Sequence, residues 1–454
     1  MPRFLISAAH KSSGKTVVST GLAAALSARG RTVQTFKKGP DYIDPMWLAA
    51  ASARACYNLD FNTMGRGEIC DLFAAKSTGA DLAMIEANKG LFDGVATDGS
   101  DANAALAHLL KTPVVLVVDT GGMTRGIAPL MLGYQAFGAE LEIAGVILNK
   151  TGGARHESKL VAALETHTDI PVLGAIRRSD ELEIGERHLG LTTPAETGGL
   201  AGRIKTFGRI VAQSVDLEKI AALGATAPAL PAANAAPLKR SEKRLRVGVA
   251  RDASFGFYYP DDLEAFARAG ADIVPFDTLK DSALPDVDAL FIGGGFPETQ
   301  MRALAANTPM RASIKEAIEA GMPAYAECGG LMYLCRTLAW RGETADMVGA
   351  VDADALMHAR PQGRGYVRFS TTGDHPWGGR GNVVRAHEFH YASLENLGSG
   401  QVFARHMERG AGINGAMDGL VTHNLMAGFC HLRNSDANPW VERFIAFACR
   451  AKQP

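Results

Sequence analysis

Short, uninterrupted apolar runs separated by helix-like stretches constrain the fold of this chain more than any other sequence feature. Runs of Val, Ile and Leu without alternating polar residues are typical of strands buried on both faces. Such strands form parallel sheets covered by helices, so the first half is predicted to be an α/β unit. A helix is predicted from Lys15 to about Ala28. The predicted strands are Phe4–Ser7, Thr32–Phe36, Leu82–Glu86, Val114–Asp119, Ile143–Leu148 and Pro171–Ala175.

The same alternation resumes after a segment of different composition. Residues 221–237 are nearly all Ala, Pro, Leu and Gly, and the charged run Lys239–Arg244 follows. At 454 residues the chain is too long for one ordinary core. We therefore predict a domain over 1–220, a linker over 221–244 and a second α/β domain over 245–454. Strands of the second domain are predicted at Leu245–Ala250, Ile273–Pro275, Ala289–Gly293 and Pro323–Ala326, ending near Val421 and Ala427–Cys430.

The net charge and the cysteine pattern limit which partners and which cellular compartment are expected. The formal net charge is -1, with 47 basic and 48 acidic residues, so no global field favours nucleic acid or an anionic membrane. No stretch reaches the roughly 18 apolar residues that a membrane span needs, and the first apolar run is too short for a secretory signal. The cysteines are scattered without a C-x-x-C pair, which disfavours a disulfide framework or zinc site. A cytoplasmic location is expected.

Cys328 is a candidate nucleophile because of its position in the run Met322–Tyr333. An apolar strand ends at Glu327, the cysteine follows, and two glycines come before residues that suit a helix. A nucleophile at such a turn projects out of the fold, and small neighbours let a substrate carbonyl approach. The N-terminus of the new helix also favours a thiolate.

A nucleophilic cysteine needs a base and an oxyanion site. His431 is the preferred base because it follows the apolar run Ala427–Cys430, whose end is predicted to be a strand tip. His387, His390 and His423 are the alternatives. The glycines of Phe291–Glu298, in particular Gly294 and Gly295, end another strand, and their backbone N–H groups are predicted to hold an oxyanion.

A second chemical signal lies at the beginning of the chain. A phosphate-binding loop needs glycine for backbone approach, lysine for the phosphates and a hydroxyl for Mg²⁺. The segment Ala9–Thr16 supplies the last three places, although Ala9 stands where the usual first glycine would be. The nucleotide-binding residues are predicted to be Lys11, Ser12, Ser13, Gly14, Lys15 and Thr16.

Carboxylates follow two other predicted strands of the first domain. Asp41 and Asp44 lie in Lys37–Pro45, and Glu86 ends the run Leu82–Glu86. Carboxylates at the carboxyl ends of parallel strands, beside a phosphate loop, are where Mg²⁺ ligands lie in phosphoryl-transfer sites. Asp41 and Asp44 also suit a turn that caps the next helix, and the two roles are compatible.

Taken together, these motifs resemble those of the cobyrinic acid and hydrogenobyrinic acid a,c-diamide synthases over essentially the whole chain. Each motif alone is common, whereas the set is specific. The motifs are Ser13–Thr16, Lys38–Pro45, Gly90–Gly94, Gly145–Asn149, Phe257–Asp261, Gly293–Glu298, Glu327–Gly330 and His387–Tyr391.

The resemblance implies an N-terminal P-loop domain like dethiobiotin synthetase and a C-terminal class I (triad-type) glutamine amidotransferase domain. It implies Cys328 as nucleophile and His431 as its activator. Ordinary class I enzymes carry Glu two residues after this histidine, where this chain has Arg433. For the ATP site, it implies Mg²⁺ held by Thr16, Asp41 and Glu86. The residues implied to serve ATP and the substrate carboxylate are Asp41, Tyr42, Asp44 and Asp93.

The implied reaction is ATP- and glutamine-dependent amidation of tetrapyrrole carboxylates, at the a and c acetates. Ammonia from glutamine would react with an acyl phosphate formed from ATP. The expected partners are the tetrapyrrole, L-glutamine and ATP, and a homodimer is an expectation of the family.

Two segments depart from the family pattern. Ala9–Ser13 replaces a more glycine- and serine-rich loop, and Glu86–Gly90 reads Glu-Ala-Asn-Lys-Gly instead of Glu-Gly-Val-Met-Gly. The second segment lies near the reacting carboxylate, so siroheme is retained as an alternative substrate and nickel-sirohydrochlorin as a weaker third. A nucleotide switch resembling ParA would need a lysine at His10 and would have no use for Cys328, so an enzyme is favoured.

Overall fold

The computed structural model describes residues 1–138, 140–187, 190–194, 197–230 and 245–452. The chain divides into two compact units, residues 1–236 and 237–454. Within the described ranges, no helix has the length and apolar character needed to cross a membrane. The predicted linker begins inside the last helix of the first unit, which ends at Ala225, and its residues 231–244 lie outside the described residues.

The first unit is built on a parallel sheet in the order β3-β2-β4-β1-β5-β6-β7. Its strands are β1 Arg3–Ala8, β2 Val33–Lys38, β3 Tyr57–Leu59, β4 Leu82–Glu86, β5 Val114–Asp119, β6 Ile143–Thr151 and β7 Val172–Arg177, with a small ribbon β8 Glu186–Arg187 and β9 Gly190–Leu191. Its helices are α1 Lys15–Ala28, α2 Ile43–Ser52, α3 Arg66–Ser77, α4 Asn103–Leu109, α5 Ile127–Phe137, α6 Ala154–His167, α7 Leu200–Ser214 and α8 Leu217–Ala225, besides a 3₁₀ turn at Asp180–Leu182.

The apolar runs of the first unit are continuous because helices cover both faces of this sheet. Side chains alternate between the two faces of a strand. Phe4 and Ile6 of β1 pack in one core and Leu5 packs in the other, and all three are fully buried. The predicted parallel α/β sheet is therefore confirmed, and the short strand β3 is an addition to it.

The second unit has a mixed sheet in the order β12-β10-β13-β15-β24-β23-β22-β19-β20. Its strands are β10 Leu245–Ala250, β11 Phe255–Phe257, β12 Ala271–Phe276, β13 Ala289–Ile292, β14 Gly294–Gly295, β15 Ala324–Glu327, β16 Thr337–Trp340, β17 Glu343–Asp346, β18 Asp354–Met357, β19 Gly363–Thr371, β20 Val383–His390, β21 Ala392–Glu395, β22 Val402–Arg409, β23 Met417–Thr422 and β24 Leu425–Gly428. Its helices are α9 Pro260–Arg268, α10 Met301–Ala306, α11 Thr308–Glu319, α12 Gly329–Leu334 and α13 Trp440–Ala451, with a 3₁₀ turn at Pro297–Gln300.

Only part of this second sheet is parallel. Strands β12, β10, β13, β15 and β24 pair in parallel, whereas β23, β22, β19 and β20 continue the sheet by antiparallel pairing. The antiparallel strands between Gly363 and Arg409 were not predicted. Their exposed face carries polar residues, as in Gly363–Thr371, so they lack the continuous apolar runs of the parallel strands.

We predict that Leu116→Ala, in the central strand β5, lowers the free energy of unfolding of the first unit by about 2–5 kcal/mol. Leu116 is fully buried, so the substitution leaves a cavity. Leu132→Ala in α5 is the control, because Leu132 is 44% exposed and its truncation is expected to cost less than about 0.5 kcal/mol. Urea unfolding, read by hydrogen exchange of peptides from residues 1–236, measures both. Equal losses would contradict the assignment of Leu116 to the core.

Candidate functional sites

The predicted phosphate loop lies between β1 and α1, at the carboxyl edge of the first sheet. Gly14 precedes α1 with φ 85°, a backbone conformation that favours glycine. Lys15 is buried and its Nζ donates to the carbonyl of Lys89 at 2.6 Å. Lys11 and Ser12 are exposed, whereas Ser13 is buried and donates to the His10 carbonyl at 2.8 Å. The loop thus has the strand–loop–helix position that phosphate binding requires.

Residues at the ends of β5 and β6 hydrogen-bond with the backbone of the phosphate loop or with each other. These contacts were not predicted. Asn149 Nδ2 donates to the Ser13 carbonyl at 2.9 Å. Lys150 Nζ donates to the Ser12 carbonyl at 3.1 Å and to Asp119 Oδ2 at 2.8 Å. Asn149 is the last residue of the motif Gly145–Asn149. The motif was recognised in the sequence, but the contact of Asn149 with the phosphate loop was not predicted.

A buried ion group lies beside the loop. Lys37 of β2 stands opposite Glu86 of β4 in the sheet register. Its Nζ is 2.6 Å from Glu86 Oε1 and 2.5 Å from Asp44 Oδ2, and its side chain is 2% exposed. Burial alone would lower the pKa of Lys37, but Asp44 and Glu86 together raise it above its ordinary value. Burial in turn raises the pKa of Glu86.

Three predicted residues of this site occupy different environments. Asp41 Oδ1 accepts hydrogen bonds from the backbone amides of Ile43 and Asp44 at the start of α2, at 2.9 and 3.0 Å. Burial and the charge of Asp44 raise the pKa of Asp41 to about 7. Tyr42 is buried. Asp93 is exposed, and its Oδ2 accepts from the Gly90 amide at 2.9 Å.

The oxygen atoms at this edge fit a hard divalent cation bound together with phosphates. Thr16 Oγ1 donates to Glu86 Oε1 at 3.2 Å. The other oxygen of Glu86, Oε2, is buried and has no hydrogen-bond partner among the described residues. Nor does the described part of the chain arrange three or more His, Cys, Asp or Glu side chains around one metal position. Mg²⁺ usually takes one or two carboxylates plus phosphate oxygens and water.

Cys328 occupies a strained turn between β15 and α12 in the second unit. Its φ of 50° and ψ of -103° are rare for a residue with a side chain. Such strain is typical of functional positions. The residue is 5% exposed, and its Sγ lies 3.9 Å from the Phe389 carbonyl. The predicted strand-to-helix turn at the cysteine is present.

The two glycines after Cys328 are required by close packing rather than by unusual torsion angles. A Cβ added at Gly330 would lie 2.2 Å from the Ile292 carbonyl oxygen. One added at Gly329 would lie 3.0 Å from the backbone nitrogen of Gly295. The turn therefore packs directly against β14, Gly294–Gly295, as an oxyanion site for Cys328 would require.

Of the four candidate histidines, His431 is the one that hydrogen-bonds with the Cys328 side chain. Burial would lower its pKa, but the contacts with Cys328 and Glu327 raise the pKa of His431 to about 10. His387 stacks on His431, with ring centroids 4.9 Å apart. His390 stacks on Phe429, and His423 is exposed.

The residue that contacts the other side of His431 was not predicted. Glu327 Oε2 lies 3.2 Å from His431 Nδ1. Arg433, at the position where ordinary class I enzymes have Glu, instead pairs with Asp261 at 2.6 Å and lies 4.3 Å over the Tyr259 ring. The available signal was Glu327 itself, a carboxylate at the end of a strand of buried residues.

Two family models match the chain, one in each unit. Residues 5–191 match a CobQ/CobB/MinD/ParA nucleotide binding domain. Residues 246–439 match a CobB/CobQ-like glutamine amidotransferase domain. The matched ranges contain the phosphate loop and the Cys328 turn, respectively.

Curated relatives are similar to the chain over nearly all of its length. A cobyrinate a,c-diamide synthase of Magnetococcus marinus is 46% identical, over 98% of this chain and 97% of the relative. Enzymes of the same name from Methanosarcina acetivorans and Picrophilus torridus are 40% and 38% identical. These alignments cover 95% and 97% of this chain, and 92% and 97% of the relatives.

We predict that Gly294→Ala slows alkylation of Cys328 by iodoacetamide at neutral pH. The added Cβ would lie 2.6 Å from His431 Cε1, so the imidazole must leave its present position beside Cys328. Gly373→Ala is the matched control in the same unit, because a Cβ there meets no atom within 4 Å. Peptide mass spectrometry reads the rate at Cys328. An unchanged rate in Gly294→Ala would show that His431 does not activate the thiol.

Proposed function

The chain belongs to the cobyrinate a,c-diamide synthase family, and we propose that it uses ATP and glutamine to convert two carboxylates of cobyrinate into amides. The observation that carries this proposal is similarity to the curated synthases over both sites at once. The relatives' names do not favour the siroheme alternative. The enzyme is a glutamine-dependent ligase.

Glutamine hydrolysis is assigned to the second unit. The Cys328 thiolate attacks the glutamine side-chain amide, and the oxyanion is stabilised by backbone N–H groups of Gly294 and Gly295. His431 holds the proton that the departing ammonia requires. Water then hydrolyses the thioester, which releases glutamate and frees the thiol. The hydrogen bond between the Cys328 and His431 side chains supports this assignment.

Carboxylate activation is assigned to the first unit. A side-chain carboxylate of cobyrinate attacks the γ-phosphorus of ATP, and ADP leaves. Ammonia then attacks the acyl carbon, which forms the amide and releases inorganic phosphate. A free carboxylic acid would only protonate the ammonia. Lys15, with the loop residues Lys11–Gly14, holds the phosphates. We assign Lys37, Asp44 and Asp93 to orientation of the reacting carboxylate, and Tyr42 to the wall of the site.

Mg²⁺ fits this scheme through the oxygens of Thr16, Asp41 and Glu86. The support for it is the buried, unpartnered Oε2 of Glu86 among the described residues. When bound, such an ion neutralises charge that develops on the transferred phosphoryl group.

Two further expectations stay predictions: the homodimer, which the resemblance implies, and the cytoplasmic location, which was inferred from the cysteine usage. The homodimer is tested by sedimentation velocity of the whole chain. The cytoplasmic location is tested by fractionation of the cells that produce it.

Cys328→Ala is expected to abolish amidation of cobyrinate with glutamine while leaving amidation with ammonium salts, because ammonia enters after the step that needs the thiol. The measurement is product mass under both nitrogen sources. Cys335→Ala is the control, since Cys335 is a fully buried core thiol. Loss of both activities in Cys328→Ala, with the fold retained, would remove the cysteine from its assigned step.

Asp44→Asn is expected to impair amidation and to leave glutamine hydrolysis intact. Glutamine hydrolysis should persist, while amidation falls by about 10²-fold or more with either nitrogen source, since a charged group that serves phosphoryl transfer is lost. Asp98→Asn, an exposed aspartate of the same unit, is the control. Full amidation activity in Asp44→Asn would refute its placement in the ATP site.

A further inference from the structure

The buried carboxylate of Glu327 meets His431 from a place in the chain that ordinary triad enzymes do not use. Glu327 ends strand β15 and immediately precedes the nucleophile. The neighbouring parallel strand β24 pairs Gly428 with Glu327, and His431 follows three residues later. Two adjacent strand ends thus bring the carboxylate and the imidazole together, and both side chains are 3% exposed.

The two oxygens of Glu327 have different partners. Oε1 accepts from the Leu432 amide at 2.8 Å and from the Tyr325 hydroxyl at 2.6 Å. Oε2 faces His431 Nδ1 at 3.2 Å. With Oε1 occupied by two donors, the direction of the carboxylate is fixed. This leaves His431 Nε2 as the ring nitrogen for Cys328.

A chain of hydrogen-bonded, buried polar side chains leads to the Oε1 atom of Glu327. Tyr325 lies on the same face of β15, two residues earlier. Its hydroxyl accepts from Arg405 Nη2 at 3.0 Å, and Arg405 Nη1 donates to Asp418 Oδ2 at 2.9 Å. Arg405 and Asp418 are fully buried. Hydrogen bonds linked in a chain of this kind restrict one another's geometry, so the chain fixes the tilt of Glu327.

Arg433 cannot replace this carboxylate. A guanidinium carries only donors and stays protonated, so it has no acceptor for His431 Nδ1–H. It is also committed to Asp261, within the quoted motif Phe257–Asp261. Position 433 therefore lacks the carboxylate that ordinary class I enzymes have there. Within the described residues, Glu327 is the carboxylate that is hydrogen-bonded to His431.

We propose that Glu327 is the positioning residue of the glutaminase site, completing a Cys328–His431–Glu327 triad whose acid comes from the residue before the nucleophile. This inference rests on the proposed function of the second unit. Glu327 holds the Nδ1–H tautomer and stabilises the imidazolium that forms when the thiol gives up its proton. The Tyr325–Arg405–Asp418 chain holds Glu327 in that orientation.

Removal of the negative charge should change the pH profile of glutamine hydrolysis. The pKa of His431 is raised to about 10, against burial, by Cys328 and Glu327, while His387 of β20 stacks on its ring. The protonated form is the one stabilised, so it is lost as pH rises through that pKa. In Glu327→Gln one of the two raising contacts is weakened, and the alkaline limb of kcat/KM should move to lower pH.

The test is glutamine hydrolysis by the full chain carrying Glu327→Gln, measured as kcat and KM across pH. We expect kcat to fall on the order of 10²-fold or more with little change in KM, as for loss of the acid in other triads. Ammonium-dependent amidation of cobyrinate should stay near wild type, which separates this result from a failure of the proposed function. A wild-type kcat and pH profile in Glu327→Gln would overturn the proposal.

Tyr325→Phe keeps the proposal testable if Glu327→Gln does not fold. It removes one donor to Glu327 and should give a smaller loss, with the alkaline limb displaced in the same direction. Tyr333→Phe is the matched control, because this equally buried hydroxyl has no hydrogen-bond partner in the described part of the chain. Equal profiles for the two tyrosine variants would contradict a positioning chain behind Glu327.

Discussion

Parallel pairing of buried strands is the constraint on which both sites depend. In the first sheet, β1, β2 and β4 end side by side, which brings the phosphate loop, Lys37 and Glu86 to one edge. In the second sheet, β15 and β24 end side by side, which brings Glu327 and Cys328 next to His431. Carboxyl ends of parallel strands are where α/β folds place their ligand sites. The chemistry of each unit follows from which side chains end those strands.

Buried charge is the main cost of this arrangement. An unpaired charge in a protein interior costs several kcal/mol, so each one needs partners. Lys37 meets two carboxylates, Arg405 meets Asp418, and Arg433 meets Asp261. Arg405 is connected to Glu327 through Tyr325, and Arg433 lies two residues after His431 in the chain. We infer that they are kept for orientation of the site more than for stability.

The parallel elements were predictable because their apolar runs are continuous. Helix α1, strand β4 and strand β5 have the predicted bounds. The antiparallel strands were not predicted, because one exposed face interrupts their apolar pattern. Chemical motifs led to the prediction of Cys328, His431, Asp44 and Glu86, because each stands at the end of a predicted strand or a few residues after it.

The partners of those residues could not be predicted, because contacts depend on register and side-chain direction. Lys37 meets Glu86 only since the two are opposite in neighbouring strands. Glu327 was overlooked because the expected position for the acid lies after the histidine, where Arg433 stands.

The most direct test of the whole account offers Mg·ATP and glutamine to cobyrinic acid and to siroheme side by side, with product mass as the readout. Each conversion of carboxylate to amide lowers the mass by about one unit, so a loss of about two units on cobyrinic acid is predicted. Conversion of siroheme with no change in cobyrinic acid would contradict the account.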